Sequence, residues 1–147
     1  MIKKSARIQV PATTANLGPG FDVLGMALGI YNTVEITMDP GGETLVEVTG
    51  EGAKLLSTTG SSLIVDAARS VFKRAGVEVG GFRISQHNRI PLFRGMGGSA
   101  AAIVGGMAAA NALLAKPLPA QEVLRLATEM EGHPDNVAPA LFGGFVA

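Results

Sequence analysis

From Gly95 to Ala115 the chain carries no charged side chain. A helix on a protein surface needs a polar face, so an uncharged run of this length either crosses a membrane or lies inside a fold. Its large apolar residues are only Met96, Ile103, Val104, Met107, Leu113 and Leu114, and most of the rest is glycine and alanine. That is too weakly hydrophobic to enter lipid readily. The run is therefore read as a buried helix to about Ala115, with Ile103, Met107, Ala110 and Leu114 at helical spacing on one face.

A buried helix needs a domain around it. The 147 residues amount to one domain, and 47% hydrophobic against 16% charged residues is enough to bury a sizeable core. Lys and Arg total 12, balanced by 12 Asp and Glu. A nucleic-acid partner is not expected, because binding one needs surplus basic charge to displace counterions. The chain has no cysteine, which excludes a disulfide scaffold, thiolate metal sites and cysteine nucleophiles. Two histidines cannot build a His-rich zinc site unaided. Met1–Ser5 begins like a secretory leader, but Ala6-Arg7-Ile8-Gln9-Val10 alternates like a strand instead of continuing one. The default expectation is a cytoplasmic protein with no membrane partner.

The rest of the chain reads as alternating strands and helices. Strands are expected at 5–10, ending at Pro11, then at 23–30, 34–38, 44–49 and 82–90. Residues 11–22 read as a polar, glycine-rich loop in which Gly18-Pro19-Gly20 holds a fixed turn. Ser61-Ser62 caps a helix to about Ala75, with Leu63, Ala67, Val71 and Ala75 on its apolar face and Gly76 as its stop. Pro119 starts a helix to about Glu131, a short helix covers about 134–141, and 143–147 looks like a strand cut short.

The most informative stretch is Pro91-Leu92-Phe93-Arg94-Gly95-Met96-Gly97-Gly98-Ser99-Ala100-Ala101. Its glycines remove side chains where a ligand must approach the backbone. The helix behind them offers unpaired N–H groups and the positive end of its dipole, which together suit phosphate. Ser99 can donate to a phosphate oxygen or ligate Mg2+. The bland alternative is a tight strand-to-helix turn that serves packing alone. No lysine stands where a Walker A loop needs one. The G-x-G-x-x-A match at 95–100 lacks the acidic strand end of a dinucleotide site.

This stretch resembles the second conserved motif of the GHMP kinases, usually P-x-x-x-G-L-G-S-S-A-A, with Met96 for Leu and Gly98 for the first Ser. Two more segments resemble the homoserine kinase branch of that family. One is Pro11-Ala12-Thr13-Thr14-Ala15-Asn16-Leu17-Gly18-Pro19-Gly20-Phe21-Asp22 and the other is Glu129-Met130-Glu131-Gly132-His133-Pro134-Asp135-Asn136. The resemblance implies an α+β fold of the ribosomal-protein-S5-domain-2-like type, the N-terminal, ATP-binding half of chains roughly twice this long. The C-terminal ferredoxin-like half is not represented, and the chain alone is expected to be inactive. The implied reaction is ATP-dependent phosphorylation of the L-homoserine hydroxyl to O-phospho-L-homoserine, a step of threonine biosynthesis. The open alternatives are another GHMP small-molecule kinase or a noncatalytic domain that binds a phosphate ligand.

The resemblance also implies roles. Residues 91–101 and Ser62 would hold the nucleotide, with Ser62 where family members often carry Asn. Asn16, Asp22 and His133 would hold homoserine, and Asn136, with His133, would stand at the reacting hydroxyl. Read on their residues alone, Asn16 and Asp22 also suit Asx-turns, and His133 suits capping or packing. Mg2+ would take Ser99 and Glu131. Glu129 sits two residues earlier in the same helix and cannot face the same site. The resemblance leaves a homodimer open.

Overall fold

The structure is a computed structural model that describes residues 2–15, 17–20, 23–56 and 62–147. Strand β1 (Ser5–Ala15) pairs antiparallel with β2 (Gly25–Asp39), and β2 pairs antiparallel with β4 (Gly81–Asn88). Strand β3 (Leu45–Gly50) lies parallel to β4 on the far edge, giving the order β1-β2-β4-β3. A short β5 (Phe145–Val146) pairs with Gly25 and Met26 of β2. Between β3 and β4 the chain crosses over through helix α1 (Leu63–Arg74), as a parallel pair requires. The fold is mixed α and β, as expected.

Alternation along the strands sets the two faces of the sheet. Val10, Val34, Ile36, Val46, Phe82 and Ile84 are buried under the helices. Arg7, Gln9, Glu47, Arg83, Ser85 and His87 face outward. The uncharged run forms α2 (Gly98–Leu113) and is buried on nearly every side, not on one face. Two glycines make this fit. A Cβ on Gly105 would stand 2.9 Å from Val34 Cγ2, and one on Gly106 would stand 2.5 Å from the Ile64 carbonyl oxygen. The helix backbone thus lies directly against β2 and α1, a closeness that any larger residue would prevent. Among the described residues no helix is long and apolar enough to cross a membrane.

Helices α3 (Ala120–Glu131) and α4 (Val137–Phe142) complete the layer. Arg74 of α1 and Arg125 of α3 both pair with Glu122. Hydrogen bonds from Arg125, then Arg74, hold the Glu122 carboxyl down to about 2, against an ordinary 4.5.

Several boundaries differ from the sequence reading. β1 runs past Pro11 to Ala15 because it is an edge strand, where a missing N–H is tolerated. β2 is one strand where two were expected. Gly18–Gly20 forms a single 3-10 turn. In α1 the buried face is Ile64, Val65, Ala67, Ala68, Val71 and Phe72, while Leu63 is exposed. The expected cap at Ser61 lies outside the described residues.

Candidate active site

The site is assembled where β1 leaves regular pairing. Its register against β2 shifts between Pro11 and Thr13, and such a bulge re-aims the side chain that follows. Thr13 is wholly buried. Its N–H donates to the Met96 carbonyl at 3.0 Å, which ties the glycine loop to the sheet. Its hydroxyl donates to Asn136 Oδ1 at 2.9 Å. Gly97 has a left-handed φ of 69°, and a Cβ there would fall 2.0 Å from Thr13 Oγ1. Glycine at 97 is therefore required twice, by its backbone conformation and by the packed threonine.

Helix α2 starts from Gly97, with no side chain capping it. The Ala101 N–H donates to the Gly97 carbonyl at 2.9 Å. The N–H groups of Gly98, Ser99 and Ala100 precede that bond and have no acceptor within the helix. Nothing stands within 4 Å of a Cβ built on Gly95 or Gly98, so the loop backbone is open to a ligand. No charged residue of α2 itself stands at either of its ends, so its positive dipole end is met only from outside the helix.

From the other side, α3 ends at Glu131, and Gly132 closes the helix at φ 100°. Ser99 Oγ–H donates to Glu131 Oε1 at 2.8 Å. A carboxylate at a helix C-terminus is electrostatically unfavourable, a cost that a cation offsets. Glu129 pairs instead with Arg125, facing away as the helical angle demands. Asp135 is buried. It accepts the Asn136 N–H at 2.9 Å and meets His133 Nδ1.

These groups open on a cleft of about 620 Å³, within the size range of small-molecule sites. Residues 91–99, Glu131, Asn136 and Ser62 line it, together with an apolar wall of Val46, Val48, Ile64 and Ile90. Ser62 is the N-cap of α1, yet its hydroxyl makes no capping bond. That oxygen is buried with no partner among the described residues, an arrangement that costs about 1–3 kcal/mol unless a ligand satisfies it. Phe93 is 93% exposed at the cleft, in a left-handed conformation of φ 57°.

The other expected site residues stand as follows. Ala100 and Ala101 turn their side chains into the core, since the helix start presents Ser99 and Ala102 to the cleft instead. Ala100 can offer a ligand only its backbone N–H. His133 does not line the cleft and its exposed ring bonds to Asp135. Asn16 and Asp22 lie outside the described residues.

The supports of the site carry no motif in the local sequence. Thr13 reads in sequence only as a polar residue of the 11–22 loop. Asn32 was passed over, although its Oδ1 accepts the Arg89 and Ile90 N–H groups at 2.8 and 3.0 Å and so fixes the entry to the glycine loop. Gln86 and Asn88 are buried and bonded to one another at 2.7 Å. The available signal was a run of polar residues at inward positions of alternating strands.

The family model "GHMP kinases N terminal domain" matches residues 62–144. The homoserine kinase of Carboxydothermus hydrogenoformans is 55% identical over 139 residues, which cover 95% of this chain and 45% of that protein. The homoserine kinase of Symbiobacterium thermophilum is 51% identical over 144 residues, 95% of this chain and 44% of that protein. The crystal structure of homoserine kinase from Cytophaga hutchinsonii superposes with a TM-score of 0.87 at 31% identity, over 99% of this chain and 48% of that one. The mevalonate kinase of Methanococcus jannaschii shares the fold at a TM-score of 0.76 and 18% identity, over 95% of this chain and 51% of that one. The chain thus spans about half the length of the relatives it matches.

Proposed function

The chain belongs to the GHMP kinase family, and from that premise we propose that it is the nucleotide-binding half of a homoserine kinase. The reaction is transfer of the terminal phosphoryl group of ATP to the side-chain hydroxyl of L-homoserine, giving O-phospho-L-homoserine for threonine biosynthesis. One observation carries this reading: an uncapped helix N-terminus and an open glycine loop face a cleft that also holds the Ser99–Glu131 pair.

The N–H groups at 98–100 receive the phosphates, and fixed dipoles of this kind stabilise charge without reorganising. The apolar wall and the buried Ser62 hydroxyl, unpartnered among the described residues, receive the base. Ser99 and Glu131 are hard oxygen donors, and no cluster of three His, Cys, Asp or Glu stands among the described residues. Such a pair suits Mg2+, which takes few protein ligands and completes its shell from phosphate and water. When bound, Mg2+ neutralises charge between the phosphates. Asp22 pairs the substrate ammonium, Asn16 holds homoserine, and Asn136 stands at the reacting hydroxyl. Catalysis then rests on positioning and charge, with no strong base.

The test is ADP release by the full-length protein with ATP and, in parallel, L-homoserine, mevalonate and galactose. Preferred turnover of homoserine is expected. Preferred turnover of either other alcohol would keep the kinase and reject the substrate. The 147-residue chain alone should be nearly inert, and turnover matching the longer protein would reject the half-enzyme reading. Asp22→Asn should raise the KM for homoserine far more than that for ATP.

A further inference from the structure

We propose that Thr13 is a positioning residue that locks the Asn136 amide with its nitrogen toward the cleft, so that Asn136 presents N–H donors there and no acceptor oxygen. The inference rests on the kinase reading for its catalytic consequence, though not for its geometry. Asn136 lines the cleft and Thr13 does not. The Thr13 hydroxyl proton goes to Asn136 Oδ1 at 2.9 Å. Reversing the amide would take from that proton the acceptor it has in a wholly buried residue, and Thr13 Oγ1 makes no second side-chain bond among the described residues. Thr13 cannot turn aside to accommodate the change. Its N–H is bonded to Met96, and its hydroxyl fills the space that Gly97 leaves by having no Cβ.

Asn136 is pinned from its other side too. Its N–H donates to the buried Asp135 carboxylate at 2.9 Å. The turn carrying Asp135 lies against β2, where a Cβ on Gly25 would come 2.0 Å from the Asp135 carbonyl oxygen. Only the Asn136 Nδ2 group is left to face a ligand. A donor there matches the negative charge that develops on a transferring phosphoryl group. It excludes Asn136 as the acceptor of the substrate's hydroxyl proton.

Three measurements on the full-length protein test this. Thr13→Val keeps the shape and removes the hydroxyl. It should lower kcat with homoserine by about 10–100-fold while the KM for ATP and the Tm hold, and Thr13→Ser should restore most of kcat. Asn136→Asp should be no more active than Asn136→Ala, since a carboxylate would face the phosphates. The Asn136 side-chain NH2 should exchange with solvent equally fast in wild type and Thr13→Val. Wild-type kcat in Thr13→Val, an Asp variant more active than the Ala variant, or faster NH2 exchange in Thr13→Val would each overturn the orientation. The exchange measurement needs no turnover, so it decides the geometry even if the wild type phosphorylates none of the three alcohols. That last result would reject the kinase reading alone.

Discussion

Helices α2 and α3 meet at one hydrogen bond, Ser99 to Glu131, yet they are held by opposite means. α2 carries no charge and is buried on almost all sides, with glycines where it touches the sheet and α1. α3 buries only Val123 and Ala127, and its outer side carries Glu122, Arg125 and Glu129 in ion pairs. Burial fixes the first helix to within a fraction of a side chain, because close-packed interiors have no slack. The second fully buries only Val123 and Ala127, packs Leu124, Leu126 and Met130 partly against the core, and adds exposed ion pairs, which are individually weak. The end proposed to receive phosphates thus belongs to the more deeply buried helix, and the carboxylate proposed to hold Mg2+ to the more exposed one.

If this contrast is correct, equivalent changes in the two helices have unequal effects. The largest concerns packing. Gly106→Val puts a side chain against the Ile64 carbonyl and should destabilise by about 3 kcal/mol, read from the urea midpoint. Gln121→Ala, on the exposed side of α3, should stay within about 0.5 kcal/mol. Similar losses would remove the contrast.

The next effect concerns activity. Ser99→Ala and Glu131→Gln should each lower kcat/KM of the full-length protein by about 100-fold or more without a loss of Tm. Glu129→Gln, two residues from Glu131 but paired with Arg125, should leave kcat/KM within about 2-fold, as surface changes away from a site do. A large loss at Glu129 would mean that α3 presents a different face to the cleft.

A smaller effect lies in the loop before α2. Phe93→Gly relieves a left-handed backbone and should raise stability by about 1 kcal/mol in thermal unfolding. Destabilisation would show that the exposed ring packs more than its 93% exposure indicates.

The smallest effect is electrostatic. Glu122 has a folded pKa of about 2 against an ordinary 4.5. A depressed carboxyl contributes stability above the unfolded value and loses it as pH falls through the folded one. The Tm advantage of wild type over Glu122→Gln should therefore be full at pH 6 and shrink from pH 4.5 towards pH 2. A pH-independent difference would show that the Arg74 and Arg125 pairs contribute nothing through charge. α2 has no titrating group and adds nothing to this slope.

The contrast also explains what the sequence made legible. Local chemistry announced the glycine loop, the start of α3 at Pro119 and the stop at Gly132. The hydrogen bond that joins Ser99 to Glu131 was less legible, because a helix-end carboxylate also reads as a solvated one. Partners distant in sequence were not legible. Thr13 finds Asn136 across 123 positions, and Asn32 finds Arg89 across 57. Asn32 read as a break in β2, whereas it is a buried acceptor inside a continuous strand. Ala100 and Ala101 were expected among the residues that hold the nucleotide, but the rotation of α2 into its packed seat turns their side chains inward.

The central claim is that the N-terminus of α2 receives nucleotide phosphates. Amide hydrogen exchange of the full-length protein, with and without Mg-ADP, measures this at the atoms concerned. The account predicts strong slowing at Gly98, Ser99 and Ala100, and slowing at Ser62 to Ile64 along the apolar wall. Mg-ADP that binds while exchange at 98–100 stays unchanged would contradict it.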